Sequence, residues 1–269
     1  MKMRLFAACL GLFVLAGCRE RLQPDQLPTS ASISGLETAI PLTQNAPPPP
    51  FNGEVRAFDR IDNNLNELAG GRYVVELTFS GVYAGTDRVA DASARAEVSF
   101  DQVGSARRVL VQTTGALLNN NADESLVEAV RLGPDAFLLR DDVCLTGAGE
   151  DARLAASLNA GQLIGGASVM RPAGERATIN GEDVYRFTFD EADWLFPAVQ
   201  RGDSTQVAIE SFEVWLSPDK EVVVRYHMNF SVQDAVIFGN PQAVTGRVLV
   251  RYDAYELDEP VNITVPFGC

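Results

Sequence analysis

Histidine and lysine are nearly missing: the 269 residues hold one histidine, His227, and two lysines, Lys2 and Lys220. A single imidazole excludes histidine-rich metal sites and leaves one candidate for a histidine base. The formal charge is −14, with no basic stripe to displace counterions from a phosphate backbone, so nucleic acid is excluded as a partner. There is no Gly-x-Ser-x-Gly elbow. The acidic groups Asp141-Asp142, "DEADW" and "ELDEP" match no EF-hand loop and read as solvated or capping carboxylates. "LAGG" and "LIGG" lack phosphate-loop spacing and read as turn glycines. With no metal, cofactor or catalytic constellation in view, the chain reads as a protein that is not an enzyme.

Long apolar runs are also scarce. The one at the start, Leu5 to Ala16 behind Lys2 and Arg4, has the length of a signal-peptide core and falls short of the roughly 20 residues of a transmembrane helix. It ends in Leu15-Ala16-Gly17-Cys18, which resembles the lipobox of bacterial lipoproteins. That resemblance implies cleavage before Cys18 and acylation of its sulfur and amino group, by palmitate or a similar chain. The alternative is an ordinary signal peptide that happens to contain Cys18. An anchor at Cys18 places the protein outside the cytoplasm on a bacterial membrane, and loss of Lys2 and Arg4 takes the charge to −16.

Four cysteines then become two. Cys9 leaves with the leader and Cys18 carries lipid, so Cys144 and Cys269 remain. Outside the cytoplasm two thiols in one domain form a disulfide, the alternative being two buried free thiols. The closed loop would span 125 positions and contribute on the order of 4 to 5 kcal/mol in the chain-entropy picture.

Three segments follow from composition: a leader at 1–17, a proline-rich tether at 18–51 containing "NAPPPP", and a single domain at 52–269. Apolar residues from Val55 to Leu68 recur at three and four and stop at Gly70-Gly71, which predicts an amphipathic helix. From Arg72 the period is two: "RYVVELTFSG", "ARAEVSFD", "RRVLVQT", "SLVEAVRL" and "DAFLLRDDVCL" read as antiparallel strands. A short helix is expected between 151 and 169, and Asn180-Gly181 predicts a two-residue hairpin. In "EVVVRYHMNFSV" one face carries Val222, Val224, Tyr226, Met228, Phe230 and Val232, while His227 shares the polar face with Arg225, Asn229 and Ser231. His227 is therefore read as a solvent-facing strand residue. The fold class is α+β: a large curved antiparallel sheet, an open half-barrel, with one to three helices covering its concave face.

Lipobox, proline tether, the hairpin at "INGEDVYRFTFD", the strands at "FEVWLSPDKEVVVRY" and the ending "NITVPFGC" follow in an order that resembles the LppX/LprG and LolA/LolB lipoprotein families. The resemblance implies a half-barrel that holds acyl chains and carries lipids or lipoproteins between membranes. It fixes Cys18 as the acylated residue and no ligand-lining positions. The expected function is binding or carrying a lipid or other hydrophobic ligand, as a monomer anchored to the membrane; the alternative is an envelope assembly protein with a packed core.

Overall fold

The computed structural model describes residues 53–118, 124–200 and 202–269. The leader, Cys18 and the whole tether lie outside these described residues. In chain order the described part runs β1 (Arg56–Phe58), β2 (Gly70–Tyr83), β3 (Val89–Asp101), β4 (Ala106–Thr114), β5 (Ser125–Leu132), β6 (Asp135–Arg140) and β7 (Val143–Cys144). Two helices follow, α1 (Gly149–Ala156) and α2 (Ala160–Ile164), then β8 (Gly166–Ile179) and β9 (Glu182–Thr188). The chain closes with β10 (Trp194–Leu195), β11 (Val199–Gln200), β12 (Gln206–Ser217), β13 (Val222–Ile237) and β14 (Val244–Tyr255).

All 14 strands belong to one antiparallel sheet, ordered β1-β8-β9-β12-β13-β14-β2-β3-β4-β5-β6-β7, with β10 on β8 and β11 on β13. Its two ends do not pair, so the sheet is an open half-barrel. The hairpin expected at Asn180-Gly181 joins β8 to β9. Both residues have positive φ, 54° and 88°, as a primed two-residue turn requires.

Period-two patterning predicts these strands because one face must be dry. On β13 the six residues from Val222 to Val232 named above are at most 2% exposed. They meet Val248, Val250, Tyr252 and Ala254 of β14 and Tyr73, Val75, Leu77 and Phe79 of β2 in a common core. Burying such a side chain contributes about 1.5 to 3 kcal/mol.

The expected helix between Val55 and Leu68 does not form. The segment is the short strand β1, a series of turns, and one 3-10 turn over Leu65–Glu67. Its polar residues Asp59, Asp62, Asn63 and Asn64 are of the kind that bond locally and compete with helical hydrogen bonds. Asn64 has φ 70°, and Ile61 N–H donates to Gly165 O at 2.7 Å, a tertiary bond in place of a helical one. Phe58, Ile61, Leu65 and Leu68 are nevertheless buried, whereas Val55, the first residue of the expected apolar face, is 57% exposed.

The inner face is covered by the two helices and the 190–200 segment. Val109, Ala129 and Leu138 are successive cross-strand partners, hence on one face, and α1 lays Ala152 and Ala156 on the last two. Arg107, also facing inward, holds the α1–α2 link down: its Nη2 donates to Leu158 O at 2.7 Å, Tyr73 Oη at 2.9 Å and Asn159 Oδ1 at 3.1 Å. Buried charge-assisted bonds of this kind contribute about 1.5 to 3 kcal/mol each. Over β13, Trp194 Nε1 donates to Tyr226 Oη at 2.9 Å, and the Trp194, Phe196 and Phe230 rings pack with centroids 4.8 to 5.3 Å apart. Burial pushes the Tyr226 hydroxyl far above its ordinary pKa despite that bond.

Candidate functional site

A single cross-strand row explains where the interior is full and where it is hollow. It runs Phe187, Val214, Tyr226, Tyr252, Val75, Ala96, Val111, Val127 across eight adjacent strands. The parallel row Phe212, Met228, Val250, Leu77, Ala94 does the same. Each begins with rings and long aliphatics on the β9–β12–β13 side and falls to alanine on β3. Alternate positions of β3 are Ala90, Ala92, Ala94 and Ala96. Alanine fills its share of the sheet surface and projects no further, so the lid over β3 has nothing to rest on.

The result is an apolar pocket of about 290 Å³, close to the lower end of the usual ligand-pocket range. Val75, Leu77, Ala94, Ala96 and Val111 make its floor. Leu158 of the α1–α2 link, Leu163 of α2, Pro197 and Ala198 from the β10–β11 turn, and Phe238 beyond β13 make its walls. Gln162 and Gln200, both exposed, border it and are its polar rim. Leu163 is 38% exposed, an apolar side chain at the entrance.

This wall comes from three sequence-distant connections, so period counting does not find it. The floor left one readable signal, alanine at every second position of "ADASARA", a dry strand face with almost no volume on it.

His227 lies on the outer face, as its register predicts. Its Nε2 pairs with Asp253 Oδ2 at 2.7 Å, and Arg225 Nε donates to Asp253 Oδ1 at 2.7 Å. Glu213 adds weaker contacts to both, at 3.9 and 3.8 Å, and accepts from Trp215 Nε1 at 2.6 Å. Burial alone would raise the pKa of Asp253. The hydrogen bonds and charges of His227 and Arg225 outweigh it and hold the carboxyl below its ordinary value. No bond joins His227 to a hydroxyl among the described residues; the group is a cross-strand charge ladder that ties β12, β13 and β14.

The acidic runs serve local geometry. Asp141 Oδ1 accepts from Leu126 N–H, Asp258 Oδ1 from Ala69 N–H, and Asp190 pairs with Arg171. No group of three or more metal-ligating side chains occurs among the described residues. No helix among them is long and apolar enough to cross a membrane.

Cys144 and Cys269 are joined by a disulfide with Cα atoms 5.4 Å apart. The bond fastens Cys269 to β7, at one end of the sheet path.

No protein-family model matches the chain, and no curated sequence matches it. Among solved structures it is similar to LprF from Mycobacterium bovis, with 9% identity, 77% of this chain and 93% of that one covered, and a TM-score of 0.35. A second is a putative outer membrane lipoprotein-sorting protein domain from Vibrio parahaemolyticus, at 10% identity, 70% and 84% coverage and a TM-score of 0.19.

Proposed function

We propose that this is a membrane-anchored lipoprotein that binds or carries a hydrophobic ligand in the pocket under α2, and that acylated Cys18 is its anchor outside the cytoplasm. The observation that carries the reading is the apolar pocket of about 290 Å³ itself. A side-chain-filled half-barrel would not place alanines where its lid leaves space. Each methylene moved from water into such a site gains about 0.8 kcal/mol, so an eight-carbon stretch gains about 6 kcal/mol before the costs of ordering. The small volume favours one acyl-chain segment over a multiply acylated lipid. Gln162 and Gln200 at the rim leave the ligand's polar end in water.

Fluorescence titration of the delipidated full-length protein with a polyene fatty acid tests this. A saturable site is expected, with at least about tenfold weaker binding in Ala94→Phe, whose ring would occupy the floor. Absence of saturable binding, or equal binding by a folded Ala94→Phe variant, would reject the carrier reading. Mass spectrometry of the mature N-terminus tests the anchor: an unmodified Cys18, or cleavage elsewhere, removes it.

A further inference from the structure

Four of the eight buried side-chain nitrogen and oxygen atoms that lack a hydrogen-bond partner among the described residues are Arg60 Nε, both carboxylate oxygens of Asp62, and Arg107 Nε. All belong to residues that line one small cavity of about 160 Å³, beside the turn that replaces the expected first helix. Asp62 is 8% exposed. Its nearest cationic group is Arg60 Nε, 3.4 Å from Oδ1 and not aligned as a hydrogen bond. The Arg107 Nη2 atom is committed to Tyr73, Leu158 and Asn159, which leaves its Nε without an acceptor.

A buried carboxylate with both oxygens unmet is costly to fold around, and so is an unmet guanidinium nitrogen. The two kinds of orphan also restrict what could satisfy them. A simple cation would answer Asp62 but would face the guanidiniums of Arg60 and Arg107. A simple anion would answer the arginines and lie against Asp62. A molecule with both charges, an ammonium toward Asp62 and an anionic oxygen toward the arginines, offers a partner to both kinds; bridging water, which donates to Asp62 and accepts from the arginines, is the competing occupant, and the titration below decides between them.

We infer that this cavity is a binding site for a small zwitterion, an ammonium joined by a short link to a carboxylate or phosphate. The chemistry is shared by free α-amino acids and by the phosphoethanolamine end of a lipid. The site is separate from the apolar pocket, although Leu158 and Asn159 form a common wall: Leu158 borders the apolar side and Asn159 the polar one. The inference therefore stands or falls independently of the carrier reading.

Calorimetric titration of the full-length protein with glycine, O-phosphoethanolamine, ethylamine and acetate tests it. Saturable binding of glycine identifies a free amino acid as the ligand class, and binding of phosphoethanolamine alone identifies a headgroup; either supports the site. Asp62→Asn should weaken that binding by about tenfold to a hundredfold, the range of a lost charge-assisted hydrogen bond. If Asp62→Asn fails to fold by circular dichroism, Arg60→Met, changed at a partly exposed side chain, should weaken the same binding from the anionic end. The site is refuted if neither zwitterion binds at concentrations up to about 10 mM. It is refuted equally if ethylamine or acetate alone binds as well as the zwitterion that binds, or if a folded Asp62→Asn variant binds that zwitterion unchanged. Failure of the polyene titration with success here would reject only the apolar pocket, and the reverse would reject only this cavity.

Discussion

Two strands of the same sheet, β13 and β3, share one period and have opposite interiors. The inner face of β13 carries Val222, Val224, Tyr226, Met228, Phe230 and Val232, all at most 2% exposed, with Phe230 packed against Trp194 and Phe196 and Tyr226 bonded to Trp194. The inner face of β3 carries Ala90, Ala92, Ala94 and Ala96 before Val98 and Phe100, and two of those alanines floor the pocket. Alternation decides which side of a strand is dry, whereas side-chain volume decides whether that side is full. The stability of this domain should therefore concentrate on the β13 side and its binding capacity on the β3 side.

The largest stability loss should come from the full side. Phe230→Ala removes a ring that contacts Trp194 and Phe196 and should cost about 3 to 5 kcal/mol by urea denaturation, with little change in ligand affinity. A loss below about 1 kcal/mol would mean that the β13 side is not the packed region described here. Next comes the disulfide. Cys144→Ser with Cys269→Ser reopens a loop of 125 positions and should cost about 2 to 5 kcal/mol. Unchanged free-thiol counts on adding reductant to the mature protein would show that the bond is not formed in the cell.

A smaller effect is expected from the outer ladder. The Asp253 carboxyl is held below its ordinary pKa by His227 and Arg225. Its stabilisation is therefore complete above the unfolded carboxylate pKa, near 4, and is lost as pH falls through the lower folded value. Asp253→Asn should cost about 1 to 3 kcal/mol near neutral pH and flatten the acid limb of the stability profile. An acid limb identical to that of the parent would remove Asp253 from the account. The smallest stability change should be that of Ala94→Leu on the hollow side. Filling space above the floor should alter stability by about 1 kcal/mol or less, in either direction, while polyene binding falls. A loss of several kcal/mol instead would show that β3 is as tightly filled as β13.

Much of this architecture was legible in the chain. Tyr73-Val75-Leu77-Phe79 and the β13 residues alternate because one face must be dehydrated, and Asn180-Gly181 marks its turn because few residues tolerate two successive positive φ angles. The helix read over Val55–Leu68 failed for a reason the sequence also contains. Four Asp and Asn residues between 59 and 64 supply competing hydrogen bonds, and a spacing of three or four suits a compact turn with buried anchors as well as a helix. The pocket was not legible because it is a difference between volumes from separate segments. Pro197, Ala198 and Phe238 come from turns with no period, and only their distance from the β3 alanines makes space. The orphaned atoms of Asp62 and Arg107 were likewise invisible, since an unmet bond exists only once every neighbour is placed.

The ends of the sheet have a consequence for contact between copies. A half-barrel leaves two outer strands whose backbone groups could extend into another molecule. Here the path begins with three residues of β1 and ends with two of β7. Where β8 continues past β1, from Arg171 to Ile179, it carries Pro172, an irregular register between Pro172 and Arg176, and the charged pair Glu175 and Arg176. At the opposite end the disulfide fixes Cys269 beside β7. Neither of these two margins offers a long, flat ladder, so neighbouring copies gain little by joining through them.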